Sequence, residues 1–192
     1  MSQLFRIAIF ASGSGTNAEK ITTYFKNHSA ISVDLILTNN PAAGVLQRAS
    51  DLGVKTKIFS RDEYNTSTVL TMLEEHKITH VVLAGFLWLV PLHFLKAYPN
   101  KIINIHPALL PKFGGKGMYG MKIHELVRQR NESETGITIH EVNEQYDEGR
   151  ILFQGKCEVS VTDSPQDIAE KVHQLEYDCY PRVIEKWILG EW

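Results

Sequence analysis

The sequence predicts an α/β fold: a doubly wound, mostly parallel sheet with helices on both faces and an antiparallel C-terminal extension. Three observations lead there. The apolar runs at residues 5–10 and 79–84 are almost unbroken by polar alternation, the pattern of strands covered on both faces. Amphipathic stretches at helical spacing lie between the runs. Toward the C-terminus, strand-like segments flank a short turn, which suits antiparallel pairing.

Phe5–Phe10 is the first strand, apolar except for Arg6, and the turn-formers Ser12, Gly13, Ser14 and Gly15 follow it. A helix runs from Thr16 to about Lys26. Residues 32–37 read as a strand, 43–51 as a helix and 54–59 as a third strand. Residues 62–76 read as one helix with Val69, Met72 and Leu73 at core spacing. Strands follow at 79–84 and 102–105. Residues 107–120 hold four glycines and two prolines and form a long loop, and 122–130 is a helix. Strands at 136–141 and 151–161 pair across the turn Tyr146-Asp147-Glu148-Gly149. The last helix opens at Ser164-Pro165-Gln166-Asp167, with a serine cap, proline first and a carboxylate third, and runs through Ile168, Val172, Leu175 and Cys179.

With 192 residues, 43% of them hydrophobic and 22% charged, the chain is expected to form a single soluble domain. Residues 1–100 are expected to form a phosphate- or nucleotide-binding half and 101–192 a second half that carries the catalytic and co-substrate-binding residues. A formal net charge of −2 argues against nucleic acid or an anionic membrane as partner. Cys157 and Cys179 form no CxxC pair and read as small buried residues in a reducing compartment. The N-terminal apolar stretch is too short for a membrane span and lacks a cleavage pattern, so a cytoplasmic location is expected.

Three constellations carry chemistry. Residues 11–17, Ala-Ser-Gly-Ser-Gly-Thr-Asn, join strand one to helix one, where backbone N–H groups and a helix N-terminus favour an anion. Such a turn is as often only a turn. No lysine follows Gly15, which excludes a Walker loop. Strand two ends Leu37-Thr38-Asn39-Asn40, without the acid a dinucleotide fold wants, so a phosphomonoester fits better.

The second constellation is Asn104-Ile105-His106-Pro107. Residues two apart on a strand face one side, so the Asn104 amide and the His106 imidazole point together and suit a developing oxyanion. A hydrogen-bonded pair at a strand end is the plainer alternative, and the prolines at 107 and 111 favour a built site. The third is Asp147. Glu144 and Glu148 beside it read as solvated, and Asp147 matters only if the fold returns it to His106, where it would raise the imidazole pKa and keep it cationic when needed. Among the eight histidines no HExxH spacing occurs, and no metal is expected. His140 reads as an exposed strand residue.

Together these segments resemble the folate-dependent formyltransferase family over essentially the whole chain. The resemblance is carried by SGSGTN at 12–17, VVLAGFLWLV at 81–90, INIHPALLPKF at 103–113, GITIH at 136–140 and DEGRILFQ at 147–154. It implies a Rossmann-like first half, 10-formyltetrahydrofolate as donor, an amine as acceptor and a catalytic centre of Asn104, His106 and Asp147. The serine/glycine loop resembles that of the branch acting on glycinamide ribonucleotide in purine synthesis. This implies phosphate binding at Gly13, Ser14, Gly15 and Thr16 with Asn17 adjacent. It also implies ribose binding by Glu176, with His173 one turn earlier. Read from its own surroundings, Glu176 is a solvated helix residue.

The resemblance further implies that the pterin of the folate sits beside Leu87, Trp88, Leu89 and Val90, on backbone groups of Trp88 and Val90, and against 142–147 with Val142 and Tyr146. Arg61 is a partner for the folate glutamate or the phosphate, or a solvated arginine. Trp88 stands where many relatives carry arginine, and 113–120 is richer in glycine than the usual segment. Two relatives share the triplet: a formyltetrahydrofolate deformylase, whose N-terminal domain has no room before Phe5, and a methionyl-tRNA formyltransferase, whose added domain is basic. A silent phosphate-binding module is the remaining alternative. The expected assembly is a monomer or homodimer.

Overall fold

A computed structural model describes residues 4–191. Seven strands form one sheet in the order β3-β2-β1-β4-β5-β6-β7. They are β1 (Phe5–Phe10), β2 (Ile31–Thr38), β3 (Lys55–Ile58), β4 (His80–Leu83), β5 (Ile102–His106), β6 (Glu134–Glu141) and β7 (Ile151–Glu158). The first five are mutually parallel where they pair, and β5–β6 and β6–β7 are antiparallel. The expected doubly wound sheet with an antiparallel extension is therefore the fold.

The helices are α1 (Thr16–Phe25), α2 (Val45–Leu52), α3 (Arg61–Asn65), α4 (Thr68–Glu75), α5 (Leu92–Ala97), α6 (Met121–Gln129) and α7 (Pro165–Leu189). Both sheet faces are covered, which explains the unbroken apolar strands. Ile7 and Ile9 of β1 enter the core beneath α1, α2, α6 and α7. Ala8 and Phe10, pointing the other way, enter the core with Tyr64, Leu73 and Phe94. Strand alternation thus feeds two cores.

Five expectations change. The stretch 62–76 is two helices. Ser60 and Glu63 close a capping box at the start of α3, and Thr66 is extended, its hydroxyl donating to the Glu63 carbonyl at 3.1 Å. This local bond competes with continued helix. The seventh strand stops at Glu158. A short helix, α5, follows Pro91. The last helix runs on through Pro181 to Leu189 and ends at Gly190, which takes the left-handed conformation. The cysteines are half-buried and free, so neither is the wholly buried residue expected.

Candidate active site

The carboxyl ends of β1, β4 and β5 open into one cavity of about 730 Å³. Each wall follows from local chemistry. After β1, Gly15 caps α1 with φ 78 and ψ 20, the left-handed region that glycine enters without cost. A Cβ there would lie 2.4 Å from Cγ2 of Val45, so no side chain fits. The loop is pinned from behind: the Gly13 carbonyl accepts from the Val45 N–H at 3.1 Å and the Ser14 carbonyl from Arg48 Nε at 2.9 Å. With its carbonyls turned outward, the loop lines the cavity at Gly13, Ser14, Gly15, Thr16 and Asn17. A loop of this kind at a helix N-terminus suits an anion.

The second wall is β5 and the strand beside it. Asn104 and His106 both line the cavity, as their spacing on one strand requires. Asn104 pairs in register with His140 of β6, and its Nδ2 lies 3.3 Å from His140 Nε2. His140 Nδ1 is 2.8 Å from the Glu141 carbonyl. That contact places the proton on Nδ1 and leaves Nε2 to accept from Asn104 when the ring is neutral. His140 is therefore no exposed strand residue. It is 2% exposed, because β6 has a neighbour strand on each side and is covered on both faces.

Asp147 comes back to this wall from the β6–β7 turn. Its Oδ2 is 3.5 Å from His106 Nδ1 and its Oδ1 is 3.6 Å from His140 Nε2. The Gly115 N–H donates to Oδ2 at 3.0 Å. Asp147 itself holds φ 59, and Gly149 lies so close to β6 that a Cβ would stand 1.6 Å from the Glu141 carbonyl oxygen. The turn is that tight because it carries the carboxylate inward. Glu144 and Glu148 are exposed, as expected.

Electrostatics refine one expectation. Burial alone pushes the Asp147 carboxyl up, but the two nearby imidazoles, His140 and His106, and the Gly115 N–H outweigh it, and the net shift is down. For His106, burial lowers the imidazole pKa; Asp147 and the Phe113 carbonyl pull it up without overcoming that, and the net shift is down. Asp147 thus acts in the expected sense but does not keep the buried ring cationic.

Behind the centre, residues 107–120 are tied to the sheet. Thr138 Oγ1 donates to the Ala108 carbonyl at 2.7 Å and accepts from the Leu110 N–H at 3.0 Å. Gln154 Nε2 donates to the Leu110 carbonyl at 3.0 Å. The Phe113 carbonyl then accepts from His106 Nε2 at 2.8 Å. The glycine-rich part, residues 115–120, forms a further wall.

Helix α7 supplies the last wall. Ile168, Val172, Glu176, Tyr180, Ile184 and Ile188 form one buried stripe at four-residue spacing. Glu176 falls in this stripe, so it is 6% exposed rather than solvated, and burial pushes its carboxyl up to about 7 against a hydrogen bond from Asn17. A charged residue inside a helical apolar stripe was a readable signal. His173 lines the cavity from a more exposed position, and its ring centre lies 6.4 Å from that of His124. His124 is buried, its Nδ1 has no partner among the described residues, and burial drops its pKa to about 4.

Leu87, Trp88, Leu89, Val90, Val142 and Tyr146 all line the same cavity. Arg61 stands outside that lining, with its guanidinium 3.7 Å from the centre of the Trp88 ring. The sequence reading missed His140 and His124.

This geometry, a helix N-terminus opening onto an amide, two imidazoles and a carboxylate at the edge of a doubly wound sheet, suits a group-transfer enzyme of the α/β class. The model of the formyl transferase family matches residues 5–184, and the chain belongs to that family. It is 38% identical over 186 residues to the chloroplastic phosphoribosylglycinamide formyltransferase of Arabidopsis thaliana, covering 93% of this chain and 64% of that one. To the phosphoribosylglycinamide formyltransferase of Bacillus subtilis it is 35% identical over 191 residues, covering 96% and 95%. The chain thus spans less than two thirds of the plant relative and nearly all of the bacterial one. The crystal structure of phosphoribosylglycinamide formyltransferase from Bacillus halodurans superposes with a TM-score of 0.86 at 35% identity, covering 97% of this chain and 96% of that one. Membership of the family implies a folate-derived formyl donor. No helix among the described residues is long and apolar enough to cross a membrane.

Proposed function

We propose that this chain transfers the formyl group of 10-formyltetrahydrofolate to the primary amine of glycinamide ribonucleotide, a step of purine biosynthesis. The observation that carries the proposal is the continuity of one cavity from the Gly13–Thr16 cradle to Asn104, His106 and Asp147. A phosphorylated acceptor and an acyl donor can meet there. The family model and the names of the relatives point the same way, and favour an amine over water as acceptor.

The amine nitrogen attacks the formyl carbon and forms the new C–N bond. Its carbonyl oxygen becomes an oxyanion, and the bond to the folate nitrogen then breaks as that nitrogen gains a proton. The Asn104 amide donates to the oxyanion, and the positive charge of a protonated His106 stabilises it. Asp147 stabilises the imidazolium that proton uptake creates and takes part in moving the proton off the attacking amine. Phosphate binds the backbone of residues 13–16, the ribose hydroxyls donate to Glu176, and the pterin lies along residues 87–90 and 142–147. Arg61 reaches the folate glutamate from its stack on Trp88. No metal enters the reaction, and the protein acts in the cytoplasm as a monomer or homodimer.

Absorbance of the tetrahydrofolate product, followed with and without glycinamide ribonucleotide, tests the proposal. Turnover only with the acceptor supports it. Equal turnover without acceptor makes the protein a hydrolase, and none in either case makes it a binding module.

A further inference from the structure

Asn17 stands at the second position of α1 and lines the cavity, beside the residues for which the family resemblance implies phosphate binding. Its side chain is engaged elsewhere. Nδ2 donates to Oε2 of Glu176 at 2.8 Å, linking residues 159 positions apart in the chain. This is the one side-chain hydrogen bond that Glu176 makes among the described residues. The other end of the amide, Oδ1, is buried and has no partner among the described residues. The amide orientation is therefore fixed by the carboxylate, its one strong acceptor.

Glu176 needs such a partner. It projects from the apolar stripe of α7 between Val172 and Tyr180, both wholly buried. A carboxylate in that setting is unstable as an anion unless something donates to it.

We propose that the Asn17 side chain is a positioning residue that holds the Glu176 carboxylate aimed to accept from the vicinal hydroxyls of a ribose 5-phosphate acceptor, while only the main chain of residues 13–17 serves the phosphate. The proposal rests on the function given above. It makes the start of α1 a single device: its backbone measures the phosphate, and its second side chain fixes the group that measures the sugar. An acceptor with the phosphate but no ribose diol then gains nothing from Asn17.

The test compares wild type, Asn17→Ala, Glu176→Gln and the double variant in steady-state transfer to glycinamide ribonucleotide, with inorganic phosphate as competitive inhibitor. A hydrogen bond to a charged group is worth roughly a ten- to hundredfold change. Asn17→Ala and Glu176→Gln should each raise KM for the acceptor by about that factor, with kcat falling far less. The double variant should be no worse than the poorer single one, because both remove the same contact. The inhibition constant of phosphate should stay at the wild-type value in Asn17→Ala, which also reports that the cradle is folded.

Phosphate inhibition that weakens in step with KM would overturn the proposal, since Asn17 would then serve the phosphate. Fully multiplicative losses in the double variant would overturn it as well. A wild-type protein with no turnover of glycinamide ribonucleotide would instead overturn the functional reading, and this inference with it.

Discussion

His106 Nδ1 lies 3.5 Å from Oδ2 of Asp147, while the other ring nitrogen, Nε2, donates to the Phe113 carbonyl at 2.8 Å. Both nitrogens face acceptors, so adding a proton satisfies the ring completely and removing it leaves Nδ1 opposed to a carboxylate. Burial works against that proton, and burial prevails. His106 is a neutral base at rest whose cation is stabilised as soon as a proton is delivered. Its titration, followed by NMR of the ring Cε1–H, should lie below 6.5. In Asp147→Asn the midpoint should fall further, because the upward pull of the carboxylate is gone. A rise in the variant would contradict this electrostatic account.

His140 links the two ends of the centre, touching Asn104 on one side and Asp147 on the other. His140→Ala removes both contacts and leaves a buried carboxylate short of one partner. We expect kcat to fall by up to roughly tenfold, the worth of its hydrogen bond with Asn104. The fold should persist, and KM for the acceptor should change little, because His140 lies away from the cradle. Steady-state kinetics with a far-UV circular dichroism control checks both.

Glu176 and His124 give stability opposite pH dependences. The Glu176 pKa is raised from 4.5 to about 7, so the folded state binds the extra proton. Its full stability is present below 4.5 and is lost as pH rises through 7. The span corresponds to about 3 kcal/mol. Glu176→Gln should therefore match wild type near pH 4.5 and melt several degrees higher at pH 8. His124, lowered from 6.5 to about 4, loses stability as pH falls through that interval, so His124→Asn should gain on wild type toward pH 4. Melting temperatures across pH 4–8 test both signs.

Gly15→Ala places a Cβ 2.4 Å from Val45 Cγ2 at a φ of 78. Strain of this kind costs about 1–3 kcal/mol. The cradle has to move, so KM for the acceptor should rise more than kcat falls. An unchanged KM would show that the loop does not hold the phosphate.

The sheet was legible because the apolar strands and the helices between them answer to the same two-sided burial. Asn104 and His106 were legible because strand period alone puts them on one side. Asp147 was not: its approach to His106 depends on a turn with φ 59 and on the absence of a Cβ at Gly149, neither of which period or composition expresses. His140 failed for a related reason. Alternation predicts an exposed face only for a sheet with one face open, and β6 is covered on both. Glu176 was a missed signal, since its place in the stripe from Ile168 to Ile188 could be counted from the sequence. The helix break at Thr66 lay beyond periodicity, because Val69 and Leu73 keep helical spacing on the far side of it.

The most direct test of the account is the turnover number of Asn104→Ala, His106→Ala and Asp147→Ala, each measured with saturating glycinamide ribonucleotide and 10-formyltetrahydrofolate and each verified as folded. Loss of a preorganised oxyanion donor costs on the order of a hundred- to a thousandfold. The account predicts a loss of that size in all three. Any one of them retaining more than about a tenth of the wild-type rate would contradict it.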